Sequence, residues 1–419
     1  TFSDGVPVTV DDVIFSIYVF SDPTYDGSAS LYAQPIAGMD EYRSGMDSVI
    51  NLILAAGRDN TDYTNWTEQQ QTALWSALDV AGEQFVQEII DYCVAVLGGN
   101  LPSVGNSEVA LGMYGWGFGS INEDGSKITG AGTGTEYDTA TVTATDYWVE
   151  MQAAYENDYA ELSSAESADS DLFELTYGLL GDKASEYQKG INTGESAANI
   201  SGVEKTGDNS LRITMSKFDA VSIYQVGGIS VAPLHYYGSA DEYDYDNNMF
   251  GFTKGDLSGV RAKTTVPLGA GPYVFQNYQN GVITFFANES YYKGSPVTKT
   301  VLFKETPATD KLTGVVSGTF DISDPTISVS VLDSIMEYNS NGEIIGDLLT
   351  TEMVDFLGYG YMGICASTVK VGNDKASEES KALRKAFATM LAVYRDTVVN
   401  SYYGEMAAVI QYPISNTSW

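Results

Sequence analysis

The sequence predicts an α/β protein with at least two lobes. Its 419 residues exceed the size at which one hydrophobic core keeps growing, and 43% of them are apolar, enough for a large core. Between residues 47 and 196 apolar side chains recur with the spacing of helices, and from about residue 199 they alternate as strands do. Helical and strand-rich segments are therefore expected in one chain.

The charge balance argues against a nucleic-acid or anionic lipid partner. There are 21 Lys and Arg against 56 Asp and Glu, a formal net charge of -35. Phosphate neutralisation needs clustered cations, which the sequence lacks. We expect the acidic surface to keep the protein soluble by self-repulsion. No apolar run is long enough to predict a membrane span.

Few residues are suited to catalysis or metal binding. Cys93 and Cys365 are far apart and are predicted to be two separate thiols rather than a disulfide or a metal knuckle. His235 is the only histidine, and its place between a proline and two tyrosines favours a structural role. A hydrolase with paired carboxylates stays an alternative, but no pair has a defined spacing. We predict no catalytic residue, no metal ligand and no cofactor.

Two capping boxes mark helices in the first hundred residues. Thr9 with Asp12 precedes "VDDVIFSIYVF", and Thr67 with Gln70 precedes a long amphipathic helix. Gly98-Gly99 is the expected end of that helix. Its predicted buried stripe comprises Leu74, Leu78, Ala81, Phe85, Ile89, Cys93 and Leu97, widened by Trp75, Val86, Ile90 and Val94.

The glycine-rich stretch that follows does not predict a nucleotide or calcium site. "GWGFG" and "GAGTG" neither follow a clear strand nor open a helix, and no P-loop lysine accompanies them. "NEDG" lacks the first Asp and the final Glu of a calcium loop, so we predict a polar turn. One helix is then expected in "TDYWVEMQAAYENDYAEL" and another in "SDLFELTYGLLGDKASEYQKGI".

Hairpins and a final helix are predicted in the second half. "ISGVEKTGDNSLRITMSK" indicates two strands and a turn, and "DEYDYDNN" a solvated acidic loop. "YVFQNY", "VITFFAN" and "TKTVLFKETP" indicate three more strands. Ser377 or Ser380 is expected to cap the last helix and Gly404 to end it. The apolar face of that helix comprises Leu383, Phe387, Met390, Leu391 and Tyr394.

Several separated segments resemble one family, the extracytoplasmic solute-binding proteins of peptide-type ABC transporters (the oligopeptide- and dipeptide-binding proteins, bacterial family 5). "FSDGVPVTVDDVIFSI" is similar to the family's F-S-D-G-x-P-x-T-A-x-D-V, with Val10 in place of Ala. "PLGAGPYVFQNYQNGVITFFANESYYKGSP" is similar to its G-T-G-P-Y hairpin and N-x-x-Y-W-G-x-x-P turn, with Ala270 for Thr and Tyr292-Lys293 for the usual Trp pattern. "VVSGTFDISD" and "ALRKAFATMLAVYRDTVVNSYYGEMAAVIQYPI" resemble later segments, with Tyr394 in place of Asp.

The resemblance implies a two-lobed, periplasmic-binding-protein-like fold of type II, peptide-binding subclass, with mixed sheets. It covers residues 1–46 and about 199–419, so 47–196 is expected to be a mainly helical inserted subdomain. Lobe I would comprise 1–46 and 197–325, including the GPY hairpin and crossover, and 326–419 would begin lobe II. The resemblance also implies a chain incomplete at both ends, so the family's peptide-anchoring Asp is not assigned here.

The resemblance further implies a binding protein rather than an enzyme. It would be an extracytoplasmic monomer, periplasmic or a cell-surface lipoprotein, that captures oligopeptides between two closing lobes and delivers them to an ABC importer permease. Crossover segments "VLFKETP" and "FLGYGYMGICAST" would line the cleft. The residues expected at the ligand are Phe303, Glu305, Tyr359, Tyr361 and Met362. Gly269, Gly271, Pro272 and Tyr273 are expected to be structural, with the glycines allowing positive φ in a tight turn.

Two alternatives stay open. Relatives of this fold also take nickel complexes, oligosaccharides and other small solutes, so the bound solute can differ. A surface adhesin or sensor would instead use residues 47–196 as a partner surface, with Trp75, Trp116 and Trp148 as candidate contacts.

Overall fold

The computed structural model describes residues 1–97, 107–354 and 358–414, which contain both helices and strands. It divides into two compact units, one of Thr1–Gln279 with Ile283–Leu302 and one of Asn280–Val282 with Phe303–Trp419. Up to residue 192 the elements are α1 (Val10–Ser21), α2 (Met39–Arg43), β1 (Met46–Ser48), α3 (Val49–Ala56), α4 (Glu68–Leu97), α5 (Glu108–Trp116), β2 (Gly119–Ile121), β3 (Lys127–Gly130), β4 (Glu136–Asp138), α6 (Ala144–Ala154), α7 (Tyr159–Ala165), α8 (Leu172–Leu180), α9 (Ala184–Tyr187) and β5 (Gly190–Asn192).

The later elements include the longest strands of the chain's described part and one long final helix. They are β6 (Val203–Gly207), β7 (Ser210–Ile213), α10 (Ser222–Gly227), α11 (Leu234–Tyr237), β8 (Tyr243–Asp244), β9 (Met249–Phe250), α12 (Ser258–Arg261), β10 (Tyr273–Gln279), β11 (Val282–Ala287), β12 (Thr300–Lys304), α13 (Lys311–Val316), α14 (Val329–Tyr338) and α15 (Glu378–Tyr403). No helix in the described part of the chain is long and apolar enough to cross a membrane.

Both predicted capping boxes are confirmed. The backbone N–H and hydroxyl of Thr9 donate to the Asp12 carboxylate at 2.7 and 2.9 Å, and α1 begins at the next residue. Thr67 and Gln70 bond reciprocally before α4, because the Thr67 N–H donates to Oε1 of Gln70 while Gln70 N–H donates to the Thr67 hydroxyl. Each box therefore satisfies backbone donors that an uncapped first turn would leave free.

The long helix α4 buries the predicted stripe in a core made from the helical segment itself. Every stripe residue from Leu74 to Cys93 is buried, and α5, α6 and α8 pack against the helix. The predicted end at Gly98-Gly99 lies outside the described residues. The buried members of this core all lie between Val49 and Tyr187.

The prediction of one helix in each of two segments after residue 144 is wrong. The first segment breaks between α6 and α7, where Glu156 and Asn157 have φ of 52° and 62°. The second breaks at Gly181, which has φ of 56°, before the chain continues into α9. Left-handed backbone is incompatible with a continuing right-handed helix. The helical spacing of apolar residues continues across both breaks and therefore did not indicate them.

The strand predictions are confirmed. β6 and β7 form an antiparallel hairpin, and β10, β11 and β12 form a sheet in that order. "NEDG" is the predicted turn, joining β2 to β3, with Gly125 N–H bonded to Asn122 O at 3.1 Å.

The two ends of the segment 47–196 lie side by side within the first unit. β1 pairs antiparallel with β5, with Ser48 opposite Gly190. Two further core clusters draw their buried members from residues 2–42 and 200–257 only. The predicted domain boundaries are not tested by these observations and stay a prediction.

The second unit contains α13, α14 and α15. Ser377 caps α15, accepting from Ser380 N–H at 3.1 Å, and Gly404 ends it with φ of 60°, as predicted. The predicted apolar face of α15 lies open, since Phe387, Met390 and Tyr394 are exposed.

The β1–β5 pairing makes a specific splice testable. Replacing residues 49–189 with Asn-Gly joins Ser48 to Gly190 through a two-residue hairpin turn and leaves both other cores complete. We expect a folded protein with one cooperative thermal transition, measured by circular dichroism. Joining Ser48 to Asn192 with the same turn is the control, because it shifts the register and should lower the midpoint. A splice variant without a cooperative transition would contradict the expectation.

Candidate functional site

The five residues predicted to contact a ligand all lie in the second unit. Phe303 is in β12, and Glu305 follows that strand, held by a bond from its N–H to Gly281 O at 2.9 Å. Tyr359, Tyr361 and Met362 lie in a segment that is neither helix nor strand. "FLGYGYMGICAST" begins in residues 355–357, which are outside the described range.

Side chains of this set are open to a binding partner. Tyr361 is 84% exposed and Met362 71%. The rings of Tyr359 and Tyr361 approach each other with centroids 6.4 Å apart at 48°. Exposed tyrosine rings offer stacking area and a hydroxyl at low entropy cost. The structure thus brings the two tyrosines together, while contact of any of the five with a solute stays a prediction.

The polar side of α1, the helix that follows the opening turn, binds the backbone of residues 232–234. Asp12 and Ser16 are buried, and they accept the backbone N–H groups of Leu234 and Ala232 at 2.9 and 2.8 Å. Because Asp12 also caps α1, one carboxylate joins the helix start to a segment more than 200 residues away. Buried carboxylates need such donors to offset desolvation.

His235 is held in an interaction typical of a structural residue. Its Nε2 lies 2.7 Å from Oδ2 of Asp4, and its ring centroid lies 5.8 Å from that of Phe2. The hydrogen bond from His235 holds the pKa of Asp4 below its usual value. The pair ties "FSDG" to α11.

Backbone bonds add the GPY segment to the same junction. Ser3 N–H donates to Gly269 O at 2.9 Å, the Tyr236 hydroxyl donates to Val266 O at 2.7 Å, and Leu268 N–H donates to the Tyr237 hydroxyl at 3.1 Å. The opening motif, the GPY segment and α11 therefore meet at one place in the first unit.

Asn288 fixes the GPY segment from the other side, a role not predicted from sequence. Its side chain is buried, donating to Gly271 O at 2.8 Å and accepting from Ser290 N–H at 3.0 Å. Its backbone N–H donates to Pro272 O at 2.8 Å. Asn288 is the first residue of the N-x-x-Y turn quoted above, so that motif was the available signal.

The predicted reason for the two glycines is wrong. Neither Gly269 nor Gly271 has positive φ, and a Cβ built on either would meet no atom within 4 Å. The segment is positioned by the bonds to Ser3 and Asn288 rather than by a conformation that only glycine adopts.

The glycine-rich loop "GAGTG" binds an anionic group, and that group is the Glu150 side chain of the same chain. The buried carboxylate of Glu150 accepts from Gly132 N–H at 3.0 Å, Thr133 N–H at 2.7 Å and the Tyr137 hydroxyl at 2.7 Å. A Cβ on Gly130 would lie 2.0 Å from the Glu150 carboxyl carbon. The glycine there serves close packing, and the loop's donors are already occupied.

Tyr243 of the acidic stretch "DEYDYDNN" likewise binds a carboxylate of the chain itself. The Tyr243 hydroxyl and Lys205 Nζ both lie 2.6 Å from Asp11 Oδ1. Burial, with the Asp11 hydrogen bond, raises the pKa of Tyr243. Across residues 1–97, 107–354 and 358–414, no group of three His, Cys, Asp or Glu is placed to hold a metal ion.

The two thiols differ in environment. Cys93 is buried, which raises its pKa, and Cys365 is exposed. Hydrogen bonds, first that of the Ser367 hydroxyl and then that of Thr368, lower the pKa of Cys365 to about 6.

We expect Asp4→Asn to remove a pH-dependent part of the stability. The depressed pKa means that the Asp4 carboxylate stabilises the folded state above its unfolded pKa of about 4, by about 0.5 kcal/mol because solvent screens this exposed pair, and less as pH falls through the lowered folded pKa. Denaturant titrations at pH 7 and pH 3 should therefore show a loss at pH 7 that is smaller at pH 3. Asp208→Asn, in an exposed turn, is the charge-matched control. Equal losses at both pH values would contradict the assignment.

We expect Asn288→Ala to destabilise the first unit by about 2 kcal/mol, since it leaves Gly271 O and Ser290 N–H without their partner. Urea unfolding measures the change. Asn277→Ala, on the exposed side of β10, should cost little. Similar losses in the two variants would show that Asn288 is not the anchor.

Comparison with known proteins places most of the chain in one family. Residues 137–419 match the bacterial extracellular solute-binding proteins, family 5 Middle. The match includes residues 137–196, part of the segment for which no resemblance was expected. It confirms the family prediction and the α/β binding-protein fold class.

Curated relatives align over shorter segments. Heme-binding protein A of Haemophilus influenzae is 30% identical over 29% of this chain and 21% of its own length. Probable di/tripeptide-binding protein 5 of Pseudomonas aeruginosa is 30% identical over 26% of this chain and 18% of its own. Oligopeptide-binding protein AppA of Bacillus subtilis is 25% identical over 52% and 35%.

A solved structure, that of HbpA2 from Haemophilus parasuis, is 21% identical and covers 48% of this chain and 36% of its own, with a TM-score of 0.21. The chain thus spans at most about a third of the length of the curated relatives it matches.

Proposed function

Because the chain belongs to the bacterial extracellular solute-binding proteins, family 5, we propose that it captures oligopeptides outside the cytoplasm and delivers them to an ABC importer permease. The observation that carries this proposal is the family match over residues 137–419. Two relatives are named for binding oligopeptides or di- and tripeptides, which supports a peptide as the solute. We further propose a monomer, periplasmic or attached as a lipoprotein.

The domain organisation belongs to the same proposal. Residues 1–46 and 197–325 would form lobe I, 326–419 the start of lobe II, and 47–196 an inserted subdomain. The separate core between Val49 and Tyr187 and the pairing of β1 with β5 support the last assignment.

In this proposal the five exposed residues share the work of holding a peptide. Glu305 accepts hydrogen bonds from peptide N–H or amino groups, whereas Tyr359 and Tyr361 stack on side chains and donate through their hydroxyls. Phe303 and Met362 supply apolar surface. Matched donors and acceptors are needed because a captured peptide loses its water.

A non-peptide solute, a metal complex such as haem, is the second candidate. The relative from Haemophilus influenzae named for heme binding favours it. The exposed aromatic face of either Tyr359 or Tyr361 suits stacking on a planar ligand as well as on a peptide.

We expect peptide pools to raise the thermal midpoint of the purified protein, because a ligand at 100 times its Kd adds about 2.7 kcal/mol to stability. Haem and oligosaccharides are tested in parallel by the same thermal-shift measurement. Stabilisation by haem alone would replace the peptide with the second candidate. No stabilisation by any of these solutes would count against capture itself.

Tyr361→Ala should weaken the binding of the stabilising solute by about tenfold, the loss of one stacked ring. Isothermal titration calorimetry measures the change. Tyr224→Ala is the matched control, since Tyr224 is 77% exposed and lies in the first unit. Equal affinities of the two variants would remove Tyr361 from the site.

A further inference from the structure

The attachment of residues 47–196 to the rest of the first unit is narrow. β1 and β5, which we call the neck, pair through three residues each, from Met46 opposite Asn192 to Ser48 opposite Gly190. The buried core between Val49 and Tyr187 is separate from the buried clusters around α1. A two-stranded ribbon of this length is a weak constraint on orientation by itself.

Three consecutive residues from elsewhere in the chain hold both sides of the neck. Lys254 Nζ donates to Tyr42 O at 2.6 Å, four residues before β1, and to Ala197 O at 3.0 Å, five residues after β5, so it joins the two chain segments that flank the neck. Gly255 O accepts from Gly190 N–H at 2.7 Å. Asp256 pairs with Lys189 at 2.9 Å.

The same three residues are anchored to the core around α1. Gly255 N–H donates to Oδ2 of Asp22, a fully buried carboxylate, at 2.8 Å. The Asp22 side chain also accepts from Thr24 N–H at 2.9 Å, so it is fixed at the end of α1. The segment therefore connects the neck to α1 through directed bonds.

Lys254 and Gly255 are suited to these places by chemistry and size. Burial lowers the pKa of Lys254. Its ammonium lies 4.0 Å from the centre of the Tyr42 ring, and this contact favours the charged form. Gly255 has φ of 82°, and a Cβ there would lie 2.5 Å from Met46 Sδ in β1. A larger residue at position 255 would displace the Met46 side chain and strain a backbone held at positive φ.

We propose that residues 254–256 form a clamp that fixes the orientation of the 47–196 subdomain, and that releasing the clamp lets this subdomain pivot about the neck. Apolar burial holds each side together, whereas the clamp joins them by charge-assisted and backbone hydrogen bonds. The proposal does not depend on which solute the protein captures.

Hydrogen exchange at the neck tests the clamp in the whole chain. In Lys254→Met, which keeps the aliphatic stem but not the donors, the amides of Gly190 and Thr193 should exchange about tenfold faster, the effect of losing one charge-assisted hydrogen bond. Amides in the middle of α1 and α4 should keep their wild-type rates. Lys183→Met, at an exposed position of the same subdomain, is the control for loss of one positive charge.

Asp256→Asn and Lys189→Met break the ion pair from opposite sides and keep the proposal testable if Lys254→Met does not fold. Each should speed exchange at the neck in the same local pattern. The clamp is overturned if neck amides in these variants exchange as they do in Lys183→Met. It is equally overturned if exchange rises by the same factor in α1, α4 and the neck, since that is general destabilisation.

Discussion

The carboxylate of Asp12 is the constraint on which the first unit depends most. It accepts from Thr9 at the start of its own helix and from the backbone of Leu234 on a distant segment, while being almost entirely buried. A buried charge is tolerated only when donors surround it, so the helix start and the distant segment have to be placed together. The Asp4–His235 pair and the bonds to the GPY segment then build on that placement.

The same solution recurs at three other buried polar side chains. Glu150 is surrounded by the donors of a glycine-rich loop, Asp22 by Thr24 and Gly255, and Asn288 by the GPY segment. In each case a side chain binds backbone from another part of the sequence. Such bonds are directional, so they determine where loops lie with a specificity that apolar contact does not provide.

Features that depend on neighbours in sequence could be predicted, and those that depend on distant partners could not. The caps at Thr9, Thr67 and Ser377 and the three-stranded sheet follow from short-range patterns. Glu156 and Asn157 adopt left-handed backbone that no local pattern indicates, which is why α6 and α7 were expected as one helix. Gly269 was given a turn role because its true partner, Ser3, is hundreds of residues away. The candidate ligand residues came from family resemblance, and their exposure is compatible with binding without identifying a solute.

The separation of the cores has a consequence for how the chain folds during synthesis. The core between Val49 and Tyr187 is complete once residue 187 has left the ribosome, so it can form early from contacts of short sequence separation. Helix α1 is made before this segment, yet its buried partners include Ile200, Phe250 and Leu257, which are made after it. The apolar side of α1 therefore stays uncovered while the segment between Val49 and Tyr187 finishes folding. During that interval the uncovered apolar surface is prone to aggregation.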